Sequence, residues 1–318
     1  MPLARTSEHI PYLEPTFLTV SRMFAFPQMK GILSKLEMQL DSRRYQLERV
    51  NRKEVNCVQE IQLTPKELVC VASILGAKEF FGIPDPFFGM DRGEIAACVN
   101  TIQSDLKKKG ILDMDFSGAI RVCEPVADLV KKCAFCDAYA LGTFQAESGL
   151  ESLVVYFKDQ EMMLLTSMGS TLYVRPAEMK EVLSHISGIL GEAIISPKTA
   201  PSKGKSSFTY QTMERLRKLA ISGDDAAAKK EMITAGFNEA ISNVFLGGFH
   251  SDAKLYTMVV TNFAADQVDL LLCIDCHGSL VCIERNRNAN SDEWIAEEVS
   301  GKELVQYLED LLERTRCT

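Results

Sequence analysis

The sequence predicts an α+β protein of two similar halves, each of which adds a small β-meander to a central antiparallel sheet flanked by helices. Short alternating segments joined by tight turns predict the meanders, at 150–157, 162–167 and 170–174 and again at 256–263, 268–275 and 280–285. An amphipathic helix closes each half, at 176–190 and at 300–314. Because each meander alone leaves exposed edges, we expect the two to pair edge to edge about an approximate two-fold axis.

The N-terminal residues 1–62 predict an extension made of strand and helix. Residues 16–26 alternate β-branched and aromatic side chains, which favours a strand. Across 29–50 the apolar residues recur at helical spacing. Residues 57–63 alternate again and predict a second strand that leads into the first half.

Helices fill the first part of the first half, 63–190. A capping box begins the first helix, because Thr64 precedes Pro65 and Glu67 lies three residues after the threonine. Three further elements are predicted before the meander: a helix at 92–109, a strand at 119–122 and a helix at 125–136.

A segment rich in Pro, Ser, Gly and Lys separates the halves. This composition at 191–207 predicts a linker or a long surface loop. The second half, 208–318, repeats the order of the first, with helices at 210–220 and within 225–245 before its meander. The repeat is one of organisation rather than of residues, so two unrelated α+β units of similar size are the alternative.

The charge of the chain argues against nucleic acid as its partner. The 43 acidic residues outnumber the 35 basic ones, and nucleic-acid binding requires Lys or Arg opposite the phosphates. Neither a signal-peptide-like apolar run near the N-terminus nor an apolar stretch long enough for a spanning helix is found. We therefore expect a soluble cytoplasmic protein with no membrane partner, in which the cysteines are reduced thiols.

No motif for catalysis or cofactor binding is found, and we expect a non-enzymatic protein. The glycine patterns that bind phosphates are missing, and the 4 histidines lie in unrelated contexts. Two C-x-x-C pairs, Cys133 with Cys136 and Cys273 with Cys276, have the spacing of zinc ligands. They lie in distant predicted elements, and further cysteines such as Cys282 suit packing, so we expect no bound metal. A metal-dependent or redox enzyme built on these pairs is the alternative.

Two aromatic segments are candidates for a partner surface. One is a loop with four phenylalanines between the first two predicted helices, and the other follows the helices of the second half at a pair of glycines. Large aromatic side chains are enriched at protein interfaces, whereas the alternative for both segments is burial in the core. The candidate partner-binding residues are Phe87, Phe88, Phe245, Phe249 and Trp294.

A series of short motifs covers 63–192, and a further motif lies near the C-terminus. An acidic helix start at 63–68 leads to Leu75-Gly76, and a second helix ends at 106–112 in the pattern Leu-x-x-x-Gly-Ile-Leu. In the second half, a strand, a turn rich in Asn and Arg, and Trp294 precede the last helix. In this order the motifs resemble those of the EspG-like family, the cytosolic chaperones of type VII secretion.

The resemblance implies a fold with approximate two-fold symmetry, a central sheet and helical subdomains. It also implies a binding role, in which a helical secreted partner of the WXG or LXG type is held soluble by a site in the second half. Such a partner exposes an apolar stripe before assembly, so its chaperone needs a complementary apolar surface and no catalytic site. A winged-helix transcriptional regulator that uses residues 64–136 is the alternative from another class of function.

Overall fold

The computed structural model describes residues 60–115, 118–146, 149–191, 204–248, 253–285 and 293–316. Nearly all of the predicted N-terminal extension lies outside these residues. Contacts divide the chain into two compact units, and their described parts belong to Leu63–Ala134 and to Phe135–Thr318 with Gln59–Gln62. The predicted halves do not coincide with these units, because the first meander belongs to the second unit.

The described elements alternate between helical stretches and strands. The strands are β1 (Ile61–Leu63), β2 (Leu112–Met114), β3 (Ile120–Val122), β4 (Ala138–Ala146), β5 (Gly149–Lys158), β6 (Glu161–Met168), β7 (Thr171–Ala177), β8 (Lys205–Thr209), β9 (Lys254–Asn262), β10 (Gln267–Cys276), β11 (Ser279–Arg285) and β12 (Glu293–Val299). The helices are α1 (Pro65–Ile74), α2 (Arg92–Lys108), α3 (Glu124–Ala134), α4 (Met179–Leu190), α5 (Tyr210–Ile221), α6 (Asp225–Thr234), α7 (Glu239–Gly247) and α8 (Gly301–Arg316).

The predicted joining of the two meanders is confirmed. Ten strands form one sheet in the order β1-β7-β6-β5-β4-β9-β10-β11-β12-β8. The antiparallel pair β4–β9 lies at its centre, with Leu141 opposite Val259 and Gly142 opposite Met258. Outward from this pair, each side of the sheet continues with three meander strands and ends in a short edge strand. Pairing β4 with β9 satisfies backbone groups that two separate sheets would expose at their edges.

Helices α4 and α8, the two closing helices, cover one face of the sheet. Apolar residues at spacings of three and four form one buried side of each helix, as predicted. These residues join the inward side chains of the central strands in one core, where Phe144 and Met258 are almost fully buried. The middle of β4 and β9 is therefore packed on the face that points toward the closing helices.

Helices α5, α6 and α7 cover the opposite face at the β8 end of the sheet. Their core contains three aromatic rings, from Phe208 in β8, Phe237 between α6 and α7, and Phe245 in α7. Strand β8 pairs with β12 and begins at Lys205, so the last residues of the predicted linker are strand. Within the described residues no helix is long and apolar enough to span a membrane.

In the first unit, an ion pair between the buried Glu67 and the partly exposed Lys109 joins the start of α1 to the end of α2. The capping box at Thr64 is present, and Glu67 is 5% exposed. Lys109 Nζ lies 2.7 Å and 2.9 Å from the two carboxylate oxygens of Glu67. Burial by itself would raise the pKa of Glu67. The hydrogen bonds from Lys109 and from the Thr64 N–H outweigh burial, and the pKa lies below its ordinary value of 4.5.

We expect Lys109→Met to lower the free energy of unfolding by about 1–3 kcal/mol at neutral pH, because a buried carboxylate oxygen loses its charged partner. A carboxyl group whose pKa is lowered on folding stabilises the protein at pH values above its ordinary pKa of 4.5. This contribution is lost as the pH falls through the lower pKa of the folded state. The difference between wild type and variant should therefore shrink at about pH 3, which denaturant unfolding at both pH values measures.

Lys108→Met is the matched control for this prediction. Lys108 pairs with Asp105 at 2.8 Å, but both side chains are exposed. Its loss should change the free energy of unfolding by less than about 0.5 kcal/mol. Equal losses in the two variants at neutral pH would contradict a special role for the buried Glu67 carboxylate and its partner.

Candidate functional site

Two of the predicted partner-binding residues lie in the core. Phe245 is 1% exposed and packs edge-on against Phe208, with ring centroids 6.2 Å apart and planes at 82°. Phe87 is 2% exposed, and Phe80 at the start of the same loop is buried with it. Neither Phe245 nor Phe87 can contact a partner while its core is closed, so the site must be built from other side chains.

The remaining predicted residues differ in their exposure. Phe88, next to the buried Phe87, is 90% exposed and presents its whole ring to solvent. Trp294 lies in β12 opposite Phe208 and is partly buried, and its indole N–H has no hydrogen-bond partner among the described residues. Phe249 lies outside the described residues. Phe88 and Trp294 therefore stay predicted contacts.

The central strands carry neutral side chains on the face that the closing helices do not cover. Charged residues would be typical of a sheet face that meets only water, since antiparallel sheets alternate apolar and polar sides. On this face, no residue within 139–145 of β4 or within 255–261 of β9 is charged. The residues are Tyr139, Leu141, Thr143 and Gln145 from β4, and Leu255, Thr257, Val259 and Thr261 from β9.

Five partly exposed residues on this face form what we call the central strip: Leu141, Thr143, Thr257, Leu270 and Leu272. Leu272 also packs against the core under α5 to α7. The strand register brings them together, because Thr143 is opposite Thr257 and Thr257 is opposite Leu272. On the next row, Val259 joins Leu141 to Leu270. The strip is thus a neutral, partly exposed surface across three strands in the middle of the sheet, with the buried Val259 between its members.

Exposed apolar residues extend the strip at both ends. Leu150 is 71% exposed and lies opposite Gln145 in β4. Val268 is 51% exposed and lies opposite Thr261 in β9. Half-exposed apolar surface of this kind on interior strands is typical of a protein interface rather than of a solvated sheet.

A cavity of about 1240 Å³ lies on the other face, beside the closing helices. Its wall combines the ends of β4, β9 and β10 with α4 and the first residue of α8. Arg175 pairs with Glu181 at 3.3 Å, and the Tyr256 hydroxyl lies 3.5 Å from a carboxylate oxygen of Asp275. Burial, followed by the charge of Arg175, lowers the pKa of His185, which favours the neutral imidazole. The cavity is polar and of mixed charge, unlike the central strip.

The described cysteines of the two C-x-x-C pairs do not belong to a cluster of metal-binding side chains. Among the described residues, no group of three or more His, Cys, Asp or Glu side chains is placed to hold a metal ion. Cys273 and Cys276 lie three residues apart in β10 and therefore point to opposite faces of the sheet. Cys273 joins the core under the closing helices, whereas Cys276 packs against the core under α5 to α7.

The sequence reasoning missed the central strip. It did not predict β4, because a strand that is neutral on both sides shows no clear alternation. The absence of charge from 138–146 was the available signal, since a run of this length without Asp, Glu, Lys or Arg is typical of an interior strand.

Comparison with solved structures places this architecture among known folds. The chain is similar to the type VII secretion system chaperone EspG5 of Mycobacterium tuberculosis, solved in complex with the PE25–PPE41 dimer. The match has a TM-score of 0.55 at 12% sequence identity and covers 79% of this chain and 94% of that chain. No protein-family model matches the sequence, and no curated protein matches it. The similarity is therefore one of fold, and the chain has an EspG-like arrangement of sheet and helices.

Proposed function

We propose that this protein is a non-enzymatic cytoplasmic chaperone or adaptor that binds a helical protein destined for type VII secretion. The observation that carries the proposal is the central strip, a neutral and partly exposed surface on interior strands of the sheet. The fold similarity to a secretion chaperone that was solved with its bound dimer supports the same role.

The chemistry of the strip suits a helical partner. An amphipathic helix presents apolar side chains in a stripe along one side, and it docks where a partner surface offers matching apolar groups. The leucines of the strip supply such groups, and Thr143 and Thr257 keep the surface neutral without large side chains. A substrate of the WXG or LXG type, whose helical hairpin has an apolar stripe before assembly, fits this requirement. Trp294, in the same unit as the strip, is a further contact in this proposal, and Phe88 in the first unit is a separate predicted contact.

Reconstitution with a defined partner tests the proposal. The chain should be co-expressed with a WXG- or LXG-type protein of the organism that encodes it, and the products separated by size-exclusion chromatography with light scattering. We expect a complex of defined mass, and we expect the partner to aggregate when it is produced alone. A partner that stays soluble alone and elutes separately from the chain would contradict the proposal.

Weak binding to DNA is a further expectation, and it separates this proposal from a winged-helix regulator. Two of the three lysines at the end of α2 are already engaged, Lys108 by Asp105 and Lys109 by Glu67. Because acidic residues outnumber basic ones, 43 to 35, the Kd for duplex DNA should lie at about 10⁻⁴–10⁻⁶ M at physiological salt and should not depend on sequence. Fluorescence anisotropy across a salt series measures both properties. Sequence-specific nanomolar binding would favour the regulator instead.

A further inference from the structure

Two thiols face each other in the core of the second unit. Cys273 in β10 and Cys282 in β11 are opposite each other in the strand register, and their Sγ atoms are 2.6 Å apart. They are 1% and 3% exposed and lie beneath the closing helix α8. The partner of Cys273 is therefore Cys282, across the hairpin, rather than Cys276 in the C-x-x-C motif.

The hairpin between β10 and β11 fixes the geometry of this pair. Its two-residue loop, His277 and Gly278, has φ angles of 54° and 85°, as a type I′ turn requires. The residues that flank such a loop form a hydrogen-bonded pair. Non-hydrogen-bonded and hydrogen-bonded pairs then alternate along the two strands. Three positions further on, Cys273 and Cys282 form a non-hydrogen-bonded pair, in which Cα atoms approach to about 4.5 Å. This separation lies within the range of about 4.4–6.8 Å that a disulfide needs, so the bond can form without backbone movement.

The cavity beside the closing helices reaches the neighbours of these thiols. Tyr256 is opposite Cys273 in the register, and Asp275 and Leu280 lie two residues from the cysteines on the same face. All three line the cavity. One layer of side chains thus separates the thiols from a space that a small molecule can enter, whereas a bulky reagent would have to open the core.

We infer that Cys273 and Cys282 are a redox-modification site, which forms a reversible cross-strand disulfide when a small peroxide enters the cavity. One thiol attacks the peroxide O–O bond, becomes a sulfenic acid and releases water when the peroxide is hydrogen peroxide. The second thiol then attacks the sulfenic sulfur, so that the S–S bond forms and a second water leaves. The two thiols lose two electrons and two protons, which the peroxide takes up, and a small thiol reductant such as glutathione reverses the change by exchange.

The surroundings of the pair set its reactivity. Burial raises the pKa of Cys282 well above its ordinary value, and hydrogen bonding with Cys273 and the nearby Glu284 and Glu297 raise it further. The reactive thiolate is therefore scarce, and the pair reacts slowly. The disulfide, once formed, fixes the β10–β11 hairpin under α8 and should raise Tm by about 5 °C.

Oxidation of the full chain tests this inference without any variant. The reduced protein is treated with hydrogen peroxide and blocked with N-ethylmaleimide under denaturing conditions. It is then digested without reductant, by proteases that cleave at Asp275 and at Leu280 and so separate the three cysteines, for mass spectrometry. We expect a peptide pair linked through Cys273 and Cys282 that is lost on reduction with glutathione. Recovery of both cysteines as alkylated thiols, or a link from either of them to Cys276, would overturn the inference.

Two variants sharpen the test. Cys276→Ser, the other half of the C-x-x-C motif, should leave both the linked peptide and the rise in Tm unchanged. Cys273→Ser should abolish both, and if this variant does not fold, the peptide map of the wild type alone decides. A peroxide-dependent rise in Tm that persists in a folded Cys273→Ser variant would also count against the inference.

Discussion

Replacing Phe245 by Ala should unfold the helical part of the second unit well below the temperature at which the wild type unfolds. Phe245 is 1% exposed, and its ring packs edge-on against both Phe208 and Phe237, with the Phe237 centroid 5.8 Å away. Truncating a buried phenylalanine costs about 3–5 kcal/mol, because apolar contacts are lost and a cavity remains. We expect a fall in Tm on the order of 10 °C, measured by circular dichroism.

Phe88→Ala is the matched control, because it removes the same ring from a position that is 90% exposed. Its Tm should stay within about 2 °C of the wild type, since surface substitutions change the free energy of unfolding by less than about 0.5 kcal/mol. The contrast separates these two of the four predicted partner-binding phenylalanines by role. If Phe245→Ala kept the wild-type Tm, the aromatic core under α5 to α7 would not be packed as described.

Replacing Thr257 by Arg should abolish partner capture while leaving the fold intact. Thr257 lies in the middle of the central strip, between Thr143 and Leu272. A long charged side chain there must lose its hydration against the apolar stripe of a docked helix, and no carboxylate of the strip can pair with it. Loss of a central contact in an interface typically costs 2 kcal/mol or more, so we expect Kd to rise by about 30-fold or more.

Ser170→Arg is the control for charge. Ser170 lies in the exposed turn between β6 and β7, away from the strip, so the same charge there should leave Kd unchanged. Both variants should keep the Tm of the wild type within about 2 °C, because neither side chain is part of a core. Equal affinities of the two variants for the partner would move the binding surface away from the strip.

Local patterns predict the closing helices and three strands of each meander, but not the strand that begins the first meander or the one that ends the second. Strand β4 is neutral on both sides, so it lacks the alternation by which a strand is found. Strand β12 carries Glu293, Glu297 and Glu298 and reads as a polar connection. Strand β8 has the composition of a linker, because serine and lysine fill its exposed positions. Its place is set by pairing with β12, which no local pattern contains.

Candidate sites follow from the sequence only where the pattern is local. The spacing of Ile241, Val244 and Phe245 is that of a buried helix side, and burial of Phe245 agrees with this periodicity rather than with a surface role. Cys273 has a sequence neighbour at C-x-x-C spacing, yet its contact is Cys282, because strands place residues three apart on opposite faces. The central strip depends on the pairing of β4 with β9, more than a hundred residues apart in the sequence, and so appears only in the folded sheet.

Site-specific photo-crosslinking tests most directly the claim that the central strip holds a helical secreted partner. A photoreactive amino acid is placed at Thr143, in the strip, and in a separate variant at Ser170, outside it. We expect Thr143 to crosslink to the co-expressed partner, and we expect the linked partner residues to recur at helical spacing on its apolar side. We expect no crosslink from Ser170. A complex that forms normally but crosslinks only from Ser170, or from neither position, would contradict a binding site at the central strip.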